Sequence, residues 1–151
     1  MTGKKRWMLL GGALLALNLM LIWGNSLLSG SQSSQVSGGI LEIFMELLHI
    51  PAEFSGTLHV LIRKLAHLTE FACLSALISW CLGRVNVKKV HQIWMAVLLA
   101  MAVGLVDETI QLFTPDRGPS LTDVWIDTLG AALGMMALQL GYHLKEKKRK
   151  T

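Results

Sequence analysis

The chain has 151 residues, 52% of them hydrophobic and 16% charged, with a formal net charge of +4. A soluble domain of this size carries about 25% charged residues. Here the apolar residues run in long blocks, with no charge at all over positions 7–41, more than the roughly 20 residues needed to cross a hydrocarbon core. This composition excludes an ordinary soluble enzyme and leaves room for one compact membrane bundle without a second domain.

The first span is expected over residues 7–28. Lys4, Lys5 and Arg6 ahead of an apolar stretch also fit a secretory signal, but the stretch is long and no A-x-A site follows it, so an uncleaved anchor is expected. Residues 29–39, rich in Ser, Gly and Gln, read as a flexible polar linker. Residues 40–50 read as a short amphipathic helix in the first outer loop. Ile40, Ile43, Phe44, Leu47 and Leu48 share one face, Glu42, Glu46 and His49 the other. It is expected to lie on the membrane surface or cover the bundle. Its acidic face excludes attraction to anionic lipid as the holding force, and Pro51 ends it.

Three more spans follow, over 61–82, 93–113 and 121–144, joined by loops at 83–92 and 114–120. Connections this short make consecutive helices antiparallel neighbours. The fold class is therefore all-α, an integral membrane bundle of four transmembrane helices. Cys73 and Cys81 are eight residues apart on one span, roughly 12 Å along its axis. That is too far for a disulfide, and packed, inert thiols are expected.

Eight of the fourteen Lys and Arg lie in the tails (Lys4, Lys5, Arg6, Lys145, Lys147, Lys148, Arg149, Lys150), and Arg84, Lys88 and Lys89 form a third basic cluster. Short basic segments beside membrane helices set topology, which weighs against nucleic acid as a partner and names the lipid bilayer instead. Both termini and the Arg84 loop are expected in the cytoplasm, with the first loop and the 114–120 turn outside. Trp7, Trp80, Trp94 and Tyr142 then mark the inner interface, and Trp23 and Trp125 the outer one.

Charges inside spans are expensive and by default mark a functional site. Arg63, Lys64, His67 and Glu70 open the second span; Asp107, Glu108 and Gln111 sit late in the third; Asp123 and Asp127 sit early in the fourth. Counted from the inner aromatic anchors, His67, Asp107 and Asp127 lie at a similar height, about 20 Å up. A deeper layer of His67, Asp107, Glu108 and Asp127 is thus expected beneath a shallower one of Arg63, Gln111 and Asp123, near Arg117. Five carboxylates face three cations, Arg63, Lys64 and Arg117, so the layers carry excess negative charge on paper.

One reading of these groups is an ion-pair network that fixes helix register, with Arg63 and Lys64 on Asp107, Glu108 or Asp123. The other is a polar pocket open to the outer face. His67 with Asp107 or Asp127 is a candidate general base, with Glu108 a further catalytic candidate, and Arg63 and Arg117 are the natural anion contacts. No HExxH, GxSxG, cysteine-nucleophile or cofactor motif is present, so no metal or cofactor is expected. Gly130 and Gly134 form a GxxxG, the signature of close helix packing. In the turn 114–120, Ser120 or Thr122 can cap the last helix, whose first turn Asp123 suits.

The ordered set Arg63-Lys64-x-x-His67-x-x-Glu70-Phe71, Asp107-Glu108-x-x-Gln111-x-Phe113-x-Pro115-x-Arg117 and Asp123-x-x-x-Asp127-x-x-Gly130-x-x-x-Gly134 resembles the VanZ-like family of bacterial membrane proteins. The resemblance covers about 58–140. It divides the chain into an anchor with linker and amphipathic helix (1–57), a VanZ-like three-helix core (58–144) and a basic tail (145–151). It implies a cell-envelope role, since the family takes its name from a protein that raises resistance to teicoplanin, a lipid-tailed glycopeptide. Departures from the family pattern are Phe71 where an aromatic hydroxyl is common, the residues around Asp116 where the family commonly has a glycine, and Asp127 in place of asparagine. The expected binding residues are Arg63, Lys64, His67, Glu70, Asp107, Glu108, Gln111, Arg117, Asp123 and Asp127.

Overall fold

A computed structural model describes residues 3–149. Lys150, assigned above to the basic tail, and the side chain of Lys4 lie outside the described residues. The described residues are all-helical: α1 (Gly3–Leu27), α2 (Gly30–Leu48), a 3-10 turn (Ala52–Phe54), α3 (Ser55–Arg84), α4 (Lys89–Leu112) and α5 (Leu121–Lys148). Helices α1, α3, α4 and α5 are long and apolar enough to cross a membrane. They are apolar on most sides, as a helix surrounded by lipid must be.

The 29–39 segment is not a flexible linker. It is the first half of α2, and its start is fixed by a capping box, in which Ser29 Oγ accepts from Gln32 N while Gln32 Oε1 accepts from Ser29 N. The face of α2 that meets the protein is Ser33, Ser37 and Leu41. Ser37 Oγ lies 2.8 Å from His59 Nε2 on α3. The apolar residues Ile43, Phe44, Leu47 and Leu48 point outward. The small polar side of the helix faces protein and its large apolar side is left for lipid. α2 ends at His49, in the left-handed conformation (φ 50°), ahead of Pro51.

Helices α3 and α4 also start earlier than their apolar runs, at Ser55 and Lys89, and α3 runs on to Arg84, so the connection between them shrinks to residues 85–88. The centre of the bundle is Ile22, Phe71, Leu74, Ala100 and Ala131. Cys73 is exposed on the outer surface of α3 and so is not packed as expected; Cys81 is half-buried, and both thiols are free. Large apolar side chains such as Met20, Leu121 and Trp125 are more than two-thirds exposed, the reverse of a soluble bundle.

Helices α3 and α5 make the tightest seam. A Cβ on Gly130 would strike the backbone of Leu68, and one on Gly134 that of Ala72, so both glycines are there for contact between helix backbones. Ser75 Oγ donates across this seam to Ala131 O at 2.7 Å. At one end of the bundle, Trp7 and Trp80 meet edge to face with ring centroids 6.2 Å apart. Arg84 lies over both rings at 5.3 and 5.1 Å.

Candidate functional site

The other end is built from the last turns of α1 and α4 and the first turns of α3 and α5. The α4–α5 turn is pinned to the α1–α2 junction. Gly30 N donates to Pro115 O at 3.0 Å, and Thr114 Oγ1 donates to Ser26 O at 3.0 Å. A side chain at position 30 would collide with Asp116, so glycine is required there by closeness of approach. Ser120 caps α5 by accepting from Asp123 N, the role expected of it.

Three groupings hold the residues singled out from the sequence. In the first, Ser26 Oγ donates to Asp107 Oδ1 at 2.6 Å, and Gln111 Nε2 donates to Asp107 Oδ2 at 2.9 Å. Asp107 is fully buried with both oxygens occupied, in a knot that ties α4 to α1. In the second, Glu108, a buried residue about 100° further round α4, turns toward α5 and accepts from Ser120 N. In the third, His67 Nδ1 of α3 faces Asp127 Oδ1 of α5 at 3.5 Å. No protein atom hydrogen-bonds His67 Nδ1 or either oxygen of Asp127. Gly104 makes room for this pair, because a Cβ there would lie 3.3 Å from Asp127 Oδ2.

Above the His67–Asp127 pair is an open cavity of about 350 Å³ between α3 and the start of α5, lined by His59, Arg63, Lys64, His67, Thr122 and Asp123 among others. Its volume falls in the range of small-molecule sites, roughly 300–1,000 Å³. Among the described residues, no ion pair joins Arg63, Lys64 or Arg117 to any carboxylate; the pairs present are His67–Asp127 and an exposed Lys89–Glu146. The ion-pair network weighed from the sequence is therefore not formed. The excess negative charge counted from the sequence also falls elsewhere. Asp107 and Glu108 are engaged inside the bundle, and the cavity wall holds two permanent cations against one carboxylate, Asp123.

Glu70 and Arg117 stand apart from this cavity. Glu70, about one turn below His67, lines the groove toward α1 and α2 and not the cavity. Arg117 sits in the turn, with all three guanidinium nitrogens shielded and unpartnered by protein. Burial, and after it the nearby charge of Arg63, pulls its pKa below the usual guanidinium range, while Asp107 and Glu108 act the other way. Two contributors escaped the sequence reading. Ser26 hides in the first span, although Asn25-Ser26 is a polar interruption in an apolar run. His59 precedes Arg63 by four residues, which extends the face it shares with His67 by one turn. No cluster of three or more His, Cys, Asp or Glu suited to a metal ion occurs among the described residues.

A family model described as VanZ/LLP1 matches residues 12–142. The chain belongs to the VanZ/LLP1 family. The VanZ/LLP1 match takes in α1 and α2 as well as α3 to α5, so Ser26, Asp107 and the cavity all lie within the family region. Searches of curated proteins and of solved structures each found no match.

Proposed function

We propose that this VanZ/LLP1 membrane protein binds an anionic cell-envelope molecule, lipid-linked or lipid-tailed, in the cavity between α3 and α5. The single observation that carries this reading is the pair Arg63 and Lys64 on the wall of an open cavity, joined to no carboxylate by an ion pair and outnumbering Asp123, the one carboxylate there. Charge-assisted contacts to an anion are the strong use of such cations, and the N-terminus of α5 adds favourable field for negative charge. In this proposal the cavity opens to the outer face, both termini are cytoplasmic, and the wider site includes Glu70, Asp107, Glu108, Gln111, Arg117 and Asp127 as its supports. The three-helix core of 58–144 presents the cavity, and residues 1–57 brace it through Ser26 and Ser37. The teicoplanin-resistance theme of the family gives the reading a phenotype.

The test is susceptibility to teicoplanin-type lipoglycopeptides in cells with the protein, without it, and with Arg63→Gln or Lys64→Gln at matched membrane abundance. Deletion and both substitutions should shift susceptibility in the same direction. Unchanged susceptibility on deletion removes the antibiotic theme. Membrane-impermeant maleimide on intact cells should label Thr122→Cys; labelling only after lysis reverses the orientation.

The approach of His67 to Asp127 at 3.5 Å beneath the cavity favours a second reading, an intramembrane hydrolase or transferase on a lipid-linked envelope substrate. His67 would serve as general base, Asp127 would orient it, and Arg63 would hold the anion. Turnover of an envelope precursor lost in His67→Ala, with protein abundance unchanged, would establish it.

A further inference from the structure

Arg63 and His67 line two cavities at once. On one side of α3 is the polar cavity described above. On the other side is a groove of about 420 Å³ between α1, α2 and α3, with Met20, Leu21, Leu28, Ile40, Ile62 and Ala66 on its walls. A neighbouring hollow of about 400 Å³ under Phe44 shares Ile62, Ala66 and Glu70 with it. The apolar wall therefore starts beside Arg63 and continues along α3 for two turns before Glu70 interrupts it. Nothing in the reading of the polar cavity requires this groove.

We infer that the ligand is a phosphate-bearing lipid that straddles α3, with its head in the cavity at Arg63 and Lys64 and an acyl chain in the α1–α2–α3 groove. The charge arrangement selects this occupant. An uncharged hydrophobe would leave the cations unanswered, and a soluble anion would leave the groove unused. An amphiphile whose charge sits at one end satisfies both across a single helix. A chain that enters the groove comes from lipid and not from water, so it gains little by transfer; the head supplies selectivity and the groove supplies orientation. Asp123 at the cavity rim suits a hydroxyl or amine on the same head. This inference rests on the cavity being the binding site.

The groove can be filled without disturbing the fold. A Cβ on Gly24 meets nothing within 4 Å, so Gly24→Phe, with Gly24→Leu as a milder companion, puts bulk into the groove from α1. The probe is dioleoyl phosphatidic acid carrying a diazirine in one chain, presented to the purified full chain in nanodiscs. Phosphatidylcholine with the same diazirine chain is the comparison, and thermal unfolding checks each variant. The phosphatidic acid probe is expected to label peptides containing Met20, Leu21, Ile62 or Ala66. Gly24→Phe and Arg63→Gln should each lower labelling roughly tenfold or more, the change that about 1.4 kcal/mol produces. Equal labelling by the phosphatidylcholine probe means annular lipid only and overturns the inference. If Arg63→Gln lowers labelling and Gly24→Phe does not, the groove assignment fails while the cavity reading stands. If Gly24→Phe lowers it and Arg63→Gln does not, the cavity reading fails with it.

Discussion

The two ends of the bundle treat their charges in opposite ways. At the end marked by Trp7, Arg84 lies over two indoles, Lys89 reaches Glu146 at 3.5 Å, and Gln92 Nε2 donates to Val87 O at 2.6 Å. At the cavity end, Arg63 and Lys64 have no ion pair and the Arg117 nitrogens donate no hydrogen bond to the protein. His67 and Asp127 face each other without closing a hydrogen bond. Charge on helices long and apolar enough to cross a membrane carries a cost. One end answers that cost within the chain, and the other keeps its cations facing open space. Position in a span does not by itself mark a candidate site; polar groups held in place but not satisfied do.

The contrast can be broken by substitution, and the largest effect is expected beneath the cavity. Asp127→Ala empties the fully buried space that Asp127 fills beside His67 and should lower stability by about 0.5–3 kcal/mol through lost packing, read as a fall in thermal unfolding temperature in detergent. Asp127→Asn keeps the shape and should recover most of the loss. Ser26→Ala removes one donor from the buried Asp107 and should lower stability by about 0.6 kcal/mol, the average for hydrogen bonds between membrane helices, and by no more than about 1.7 kcal/mol. At the opposite end, Arg84→Gln should lose about 0.5–1 kcal/mol from the stack on Trp7 and Trp80, with lipoglycopeptide susceptibility unaltered. Lys89→Gln comes last: the pair with Glu146 is exposed and screened, and less than about 0.5 kcal/mol is expected. An Arg84→Gln protein that changed susceptibility while keeping its stability would erase the distinction between the ends.

Much of this was legible in the chain. The four spans follow from apolar runs that nothing soluble would need, and Gly130 and Gly134 announced a close seam that the structure places against Leu68 and Ala72. What was hidden had physical causes. The Ser-rich stretch before Ile40 looks like a linker because composition says nothing about capping, yet Ser29 and Gln32 form the box that starts α2. Height along a helix could be counted, but direction could not. Asp107 and Glu108 share a level and diverge to different neighbours, one to α1 and the other to α5. Counting charges by layer therefore overstated the negative charge of the cavity, since carboxylates absorbed inside the bundle do not face it. Ser26 was invisible because only the packing of α1 against α4 gives a lone serine in an apolar span its meaning.

The most direct test is the stability of the double variant Arg63→Gln, Lys64→Gln, purified in detergent without added lipid and compared with wild type by thermal unfolding. If these cations are held for a ligand, the two proteins should melt together, and only wild type should gain stability when phosphatidic acid is added. A double variant that melts well below wild type in the absence of lipid would mean that the cations hold the helices together, and the cavity would lose its claim to be a binding site.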